Sequence, residues 1–183
     1  MNSGQSMTPL RLASGRDRED IRRLHLRAFT GDEGRMVSTL AVDLLNLETD
    51  PDTFSLVAET DGTLTGHVAF SPVAIDKGRS GQGYILAPLA VLPENQRRGI
   101  GNALVENGLQ RLTKSGVKMV FVYGDPAYYG RFGFKADLAS GYLPPYPLAY
   151  PFGWQALKLN EDGSETAVVR ISCVAPLCDP GLW

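Results

Sequence analysis

The chain has 183 residues and a formal net charge of −2, with 43% hydrophobic and 21% charged residues. That length suits one domain with a substantial core, and the near-neutral charge argues against nucleic acid or an anionic membrane as a partner. Residues 1–7 are expected to be a flexible tail and 8–183 a single domain. No basic segment followed by an apolar stretch opens the sequence, and no run reaches the ~18 apolar residues of a membrane span, so the expected location is the cytoplasm. Cys173 and Cys178 are the only cysteines. Two thiols cannot complete a four-ligand zinc site, so no metal is expected and both are expected to be unpaired.

Pro9 to Ala13 is extended and gives way at Ser14-Gly15 to a helix whose apolar stripe is Ile21, Leu24, His25, Ala28 and Phe29. On that stripe, packing and hydrogen bonding are the commoner fate of His25 than catalysis. A second helix spans Glu33 to Leu47, with Val37, Leu40, Ala41, Leu44 and Leu45 on one side, and stops before Asp50-Pro51-Asp52. Phe54 to Glu59 and Thr63 to Ile75 form a hairpin about Asp61-Gly62. A turn-rich piece, Asp76 to Gly83, leads into Tyr84 to Val91, whose continuous apolar run suits a central strand buried on both faces. His67, on the alternating segment Gly66 to Phe70, either packs or faces a groove.

Leu104, Val105, Gly108, Leu109 and Leu112 mark a third helix, closed by Lys114-Ser115-Gly116. Lys118 to Tyr123 is a strand, Pro126 to Phe132 a short helix, and Phe134 to Leu138, Trp154 to Leu159 and Val168 to Cys173 are further strands. Gly141 to Gly153, rich in proline and aromatics, is a loop that either packs on the surface or lines a ligand groove. The order implies a mixed α/β sheet with helices on both faces.

The chemistry is concentrated where a buried strand runs through Pro93-Glu94-Asn95 into Gln96-Arg97-Arg98-Gly99-Ile100-Gly101. A helix N-terminus offers free N–H groups and positive dipole charge, the glycines admit phosphate oxygens, and the arginines add charge-assisted bonds. No Gly-x-x-x-x-Gly-Lys run is present, and the Gly-x-Gly-x-x-Gly dinucleotide fingerprint is not met. The segment instead resembles the Gln/Arg-x-x-Gly-x-Gly/Ala signature of the GCN5-related N-acetyltransferase (GNAT) family. Downstream, Tyr128-Tyr129-Gly130-Arg131-Phe132-Gly133-Phe134 resembles that family's second signature, and Gly124 to Tyr129 its YhbS-like bacterial branch.

The resemblance implies an α+β GNAT fold with a mostly antiparallel sheet, and transfer of an acetyl group from acetyl-coenzyme A to a primary amine of a small molecule or peptide, by a monomer or homodimer. It further implies that Leu89, Ala90 and Val91 pair with the pantetheine arm as another strand would. Gln96, Arg97, Arg98, Gly99, Ile100, Gly101 and Asn102 would hold the diphosphate, and Tyr129 would be the general acid for the departing thiolate. The alternative for Tyr129 is simple ring packing, which is the role expected of Tyr128. Ile85 to Pro88 carries no acid where many family members have one. Glu33 is the candidate general base, with a helix-dipole charge as its alternative role. A non-catalytic acetyl-coenzyme A sensor or interaction module of the same fold is the competing function.

Overall fold

The computed structural model describes residues 9–76, 79–160 and 168–183. The expected tail, residues 1–7, lies outside them. Strands β1 (Leu10–Leu12), β2 (Phe54–Thr60), β3 (Thr63–Asp76), β4 (Arg79–Val91), β5 (Met119–Tyr123) and β7 (Trp154–Lys158) form one sheet in the order β1-β2-β3-β4-β5-β7. Only β4 and β5 run parallel; every other pair in this sheet is antiparallel. The parallel pair demands a crossover. Helix α3 (Ile100–Lys114) supplies it.

Alternation along β3 explains the layers. Val68 and Phe70 point to one face with Leu104, Val105, Leu109 and Leu112 of α3; Ala69 and Val73 point to the other with Leu40 and Leu44 of α2 (Gly31–Leu45). Helix α1 (Arg18–Ala28) buries Ile21 and Leu24 on that second face against Ala41, Val57 and Ala90. Gly108 sets the spacing of α3: a Cβ there would stand 2.1 Å from the Phe70 ring, so the helix lies flat on the aromatic because no side chain intervenes.

Four expectations change. The turn assigned to Asp76–Gly83 is largely strand: Ala74 pairs with Ser80 and Asp76 with Arg79, and this polar composition belongs to the end of a long hairpin. Phe134–Leu138 is not a strand. Phe134 is a core residue, Lys135 exchanges two backbone hydrogen bonds with Ala156, and the helix formers that follow coil into α5 (Ala136–Ala139). Inside the expected loop, β6 (Tyr142–Leu143) pairs in parallel with β8 (Val169–Arg170). The strand expected over Val168–Cys173 shrinks to β8 and a bridge from Ser172 to Ala74. Both cysteines are free thiols.

Candidate active site

The sheet parts in its middle. β4 stays paired with β3 up to Gly66↔Val91, but with β5 it pairs only through Gly83↔Met119, Tyr84↔Val120 and Ile85↔Phe121. Immediately beyond, Val68 opposes Leu89 while Phe70 opposes Leu86, so β4 carries one more residue than β3 across Ala87-Pro88 and bends away from β5. Leu92 N–H donates to Thr65 O at 2.9 Å, and strand alternation therefore turns the polar groups of Val91 toward the gap. There the Gln96 side-chain amide donates to Val91 O at 3.2 Å.

Past β4 the chain makes a single 3₁₀ turn, Pro93–Asn95, and enters α3. Arg97 has φ 59° and Gly99 φ 82°, two left-handed residues within three positions. For glycine that conformation is free; for arginine it costs about 1–2 kcal/mol, the kind of outlier that marks functional loops. Gly99 caps α3 without a side-chain bond, and the first turn of α3 holds no acid, whereas α1 and α2 carry Glu19 and Asp20, and Asp32 and Glu33, in theirs. The positive end of α3 thus faces outward with its N–H groups unclaimed by a side-chain cap. A 630 Å³ cavity opens over it, and every cofactor residue anticipated from the sequence lines it except Arg98. Asn95, Tyr128 and Arg131 join that lining, with the Arg131 guanidinium 4.6 Å above the Tyr128 ring. A Cβ on Gly101 would lie 2.6 Å from the Tyr128 hydroxyl, so this phenol points its oxygen at the start of α3.

Leu89 also lines a second cavity of 890 Å³, together with Ile85, Leu86, Ala87 and Pro88. Tyr129 is in its wall. α4 (Pro126–Tyr129) is capped by Asp125, whose carboxylate accepts from Ala127 N–H at 2.9 Å, and the Tyr129 ring lies where a Cβ on Gly124 would be 2.5 Å away. Burial, with a smaller contribution from neighbouring Tyr128, pushes the Tyr129 phenol well above its ordinary range, so it holds its proton at neutral pH. Glu33 enters the opposite wall from the first turn of α2 and is exposed, so water can reach its carboxylate.

Tyr150 N–H donates to Tyr123 Oη at 2.8 Å, holding the proline-rich loop over this cavity so that Tyr150 and Phe152 line it while remaining 63% and 66% exposed. Trp183 closes another side, stacked on Tyr123 with centroids 6.3 Å apart. Of the residues here that the sequence did not single out, Asp125 had one local signal, an acid just before a proline at a helix start. Trp183 and Leu177 had none, since only the fold brings them to the cavity.

The two histidines are elsewhere. His25 Nε2 and His67 Nδ1 are 2.9 Å apart in the layer between α1 and β3, fully buried and outside both cavities. Burial holds both well below the ordinary histidine value, His25 down to about 4, and each is neutral. Their outer nitrogens, His25 Nδ1 and His67 Nε2, find no partner among the described residues. They are structural, not acid–base groups of the cleft.

The chain matches a family model described as "Acetyltransferase (GNAT) family" over residues 18–134, a span that includes β4, the start of α3 and β5. The chain belongs to this family. A GNAT relative, "Uncharacterized N-acetyltransferase YjhQ" of Escherichia coli (strain K12), is 38% identical over 136 residues, covering 72% of each protein. Among solved structures, the GNAT family N-acetyltransferase YhbS from Escherichia coli, in complex with CoA, superposes with a TM-score of 0.80 at 30% identity over 93% of this chain and 91% of that one. A GNAT family acetyltransferase from Brucella melitensis, in complex with acetyl-CoA, gives 0.69 at 31% identity over 93% and 97%. The GNAT assignment makes the chain an acyltransferase and agrees with its sheet. Among the described residues no helix is long and apolar enough to cross a membrane, and no group of three metal-ligating side chains assembles.

Proposed function

We propose that this chain is a cytoplasmic N-acetyltransferase that moves the acetyl group of acetyl-coenzyme A to a primary amine by direct transfer within a ternary complex. The observation that carries the reading is that two cavities share Leu89 in their walls: one has the chemistry of a diphosphate site, and the other contains a protonated phenol and a carboxylate. The CoA and acetyl-CoA carried by the Escherichia coli and Brucella structures support it.

The residues fit the cofactor. The β4 edge that faces the gap, where the Gln96 side chain bonds Val91 O, suits the amides of a pantetheine arm, and the α3 N-terminus, which has no side-chain cap, suits a diphosphate together with Arg97. Acetyl-coenzyme A supplies an acyl group activated as a thioester. Tyr129 Oη donates to the leaving sulfur; because an ordinary thiol has a pKa of about 8.5, below that of the phenol, this donation is a hydrogen bond that strengthens as charge builds on sulfur. Glu33 takes a proton from the amine, directly or through water, and returns it to solvent.

The test is release of free thiol from acetyl-coenzyme A in the presence of a panel of amines, with calorimetric titration of acetyl-coenzyme A and ATP in parallel. Transfer together with a preference for the coenzyme over ATP is the expected result. Binding without transfer to any acceptor would favour a sensor or interaction module, and equal binding of ATP would remove the pantetheine assignment.

A further inference from the structure

The walls of the inner cavity carry information about its guest. Among its lining residues only Glu33 and Asp125 are charged, and there is no lysine, arginine or histidine. Arg35, one turn along α2 from Asp32, is paired with that residue and does not line the cavity. Most of the remaining side chains are apolar or aromatic, Phe29, Val37, Tyr150, Phe152 and Trp183 among them. Tyr150 and Phe152, rings 5.9 Å apart, leave large apolar areas open to water at the cavity wall, where a flat apolar guest would cover them.

We infer that the acceptor is a primary amine on an apolar, aromatic-sized body without a carboxylate, phosphate or other anionic group. The inference rests on the transferase reading of this cavity and adds to it the class of amine. An ammonium group is drawn to Glu33 and Asp125, while a carboxylate on the same molecule would lose its water among apolar walls, meet two like charges and find no cation in return. A polyhydroxylated acceptor fails differently, since its hydroxyls would be buried against rings that offer few partners.

The transfer balances. The bound ammonium gives one proton to the Glu33 carboxylate and on to water; the neutral nitrogen then bonds to the acyl carbon as the carbon–sulfur bond breaks, its second proton leaves by the same route, and the sulfur departs as a thiolate held by the Tyr129 hydrogen bond and takes its proton from solvent.

Matched acceptors differing only in the carboxylate test the class: tyramine against tyrosine and tryptamine against tryptophan, with kanamycin as the polar polycation, each followed by thiol release. The expected result is a kcat/KM about 100-fold higher for each amine than for its amino acid, which corresponds to about 2.7 kcal/mol, with kanamycin no better than the amino acids. Equal use of tyrosine and tyramine, or preference for kanamycin, would overturn the class while leaving the transferase standing. Absence of transfer to every acceptor would overturn both. Phe152→Arg, at an exposed position, is expected to narrow the tyramine-to-tyrosine ratio about tenfold by giving the carboxylate a partner; an unchanged ratio would remove Phe152 from the acceptor wall.

Discussion

Tyr128 and Tyr129 meet edge to face, ring centroids 5.0 Å apart and planes at 88°, yet the two neighbours line different cavities. One phenol addresses the start of α3 and the other the inner chamber. Removing each hydroxyl separates the roles. Tyr129→Phe is expected to lower kcat by about 10²- to 10⁴-fold with little change in cofactor affinity. Tyr128→Phe is expected to leave kcat near wild type and weaken acetyl-coenzyme A about 2- to 10-fold, as for one lost hydrogen bond. Steady-state kinetics with calorimetry reads both, and a kcat unchanged in Tyr129→Phe would take that residue out of the chemistry.

Gly101→Asp is expected to abolish detectable coenzyme binding in a folded protein. The new carboxylate would enter the cavity where the N–H groups of α3 point, and its Cβ would displace the Tyr128 hydroxyl. Gly99 is the poorer choice for this test, because its φ of 82° adds backbone strain to any substitution. Calorimetric titration beside a thermal melt separates lost binding from lost fold.

Glu33→Gln is expected to reduce kcat/KM by about 10²-fold or more while preserving coenzyme affinity, since the amide cannot accept the amine's proton. Asp125→Asn is the companion variant: asparagine retains the cap on α4, so the fold and Tyr129 stay in place. A larger loss in Asp125→Asn than in Glu33→Gln, with unchanged melting, would move the base to Asp125.

The buried histidine pair predicts a pH window for stability. Unfolded, each histidine takes a proton near pH ~6.5; folded, His25 does so only near pH about 4 and His67 well below its ordinary value. The unfolded state therefore binds more protons across that interval, and stability falls as pH drops from ~6.5 toward 4, by up to about 3 kcal/mol from His25. Asp17, held near 2 chiefly by its bond from Arg11, adds a loss only further down, below its ordinary value of 3.8. Urea melts at pH 7.5, 6 and 5 are expected to show the decline, and His25→Phe with His67→Leu to flatten it.

Gly108→Ala is expected to destabilise the chain by about 1–3 kcal/mol, because the methyl group must push α3 off the Phe70 ring. Urea denaturation measures it directly. A neutral outcome would mean that α3 can slide on the sheet.

The parts of the molecule legible from sequence are those whose chemistry is local. The stripe from Leu104 to Leu112 is buried as its spacing implies, and Gln96 to Asn102 form a neighbourhood because consecutive residues cannot avoid each other. Arg98 is the one member of that run outside the cavity lining. Phe134 to Leu138 misled because one core phenylalanine followed by Ala, Asp and Leu satisfies strand and helix patterns alike, and only the pairing of Lys135 with Ala156 ends the extended piece. Of the cavity that Tyr129 lines, the aromatic loop holding Tyr150 and Phe152 was legible as one of two readings, whereas Phe29, Tyr123 and Trp183 converge from separate elements, with no period connecting them.

The opening between β4 and β5 also bears on what the protein avoids. Unpaired strand edges invite pairing with other chains, and most proteins blunt them at the rim of a sheet with charge or proline. Here the bare edge is internal: β5 stands on the far side of the opening and α3 begins beside it. A polypeptide strand would have to bring side chains on both faces between β4 and β5, whereas an unbranched arm of amides brings none. Protection of an edge from other chains and access for a ligand thus meet at a single irregularity in the sheet.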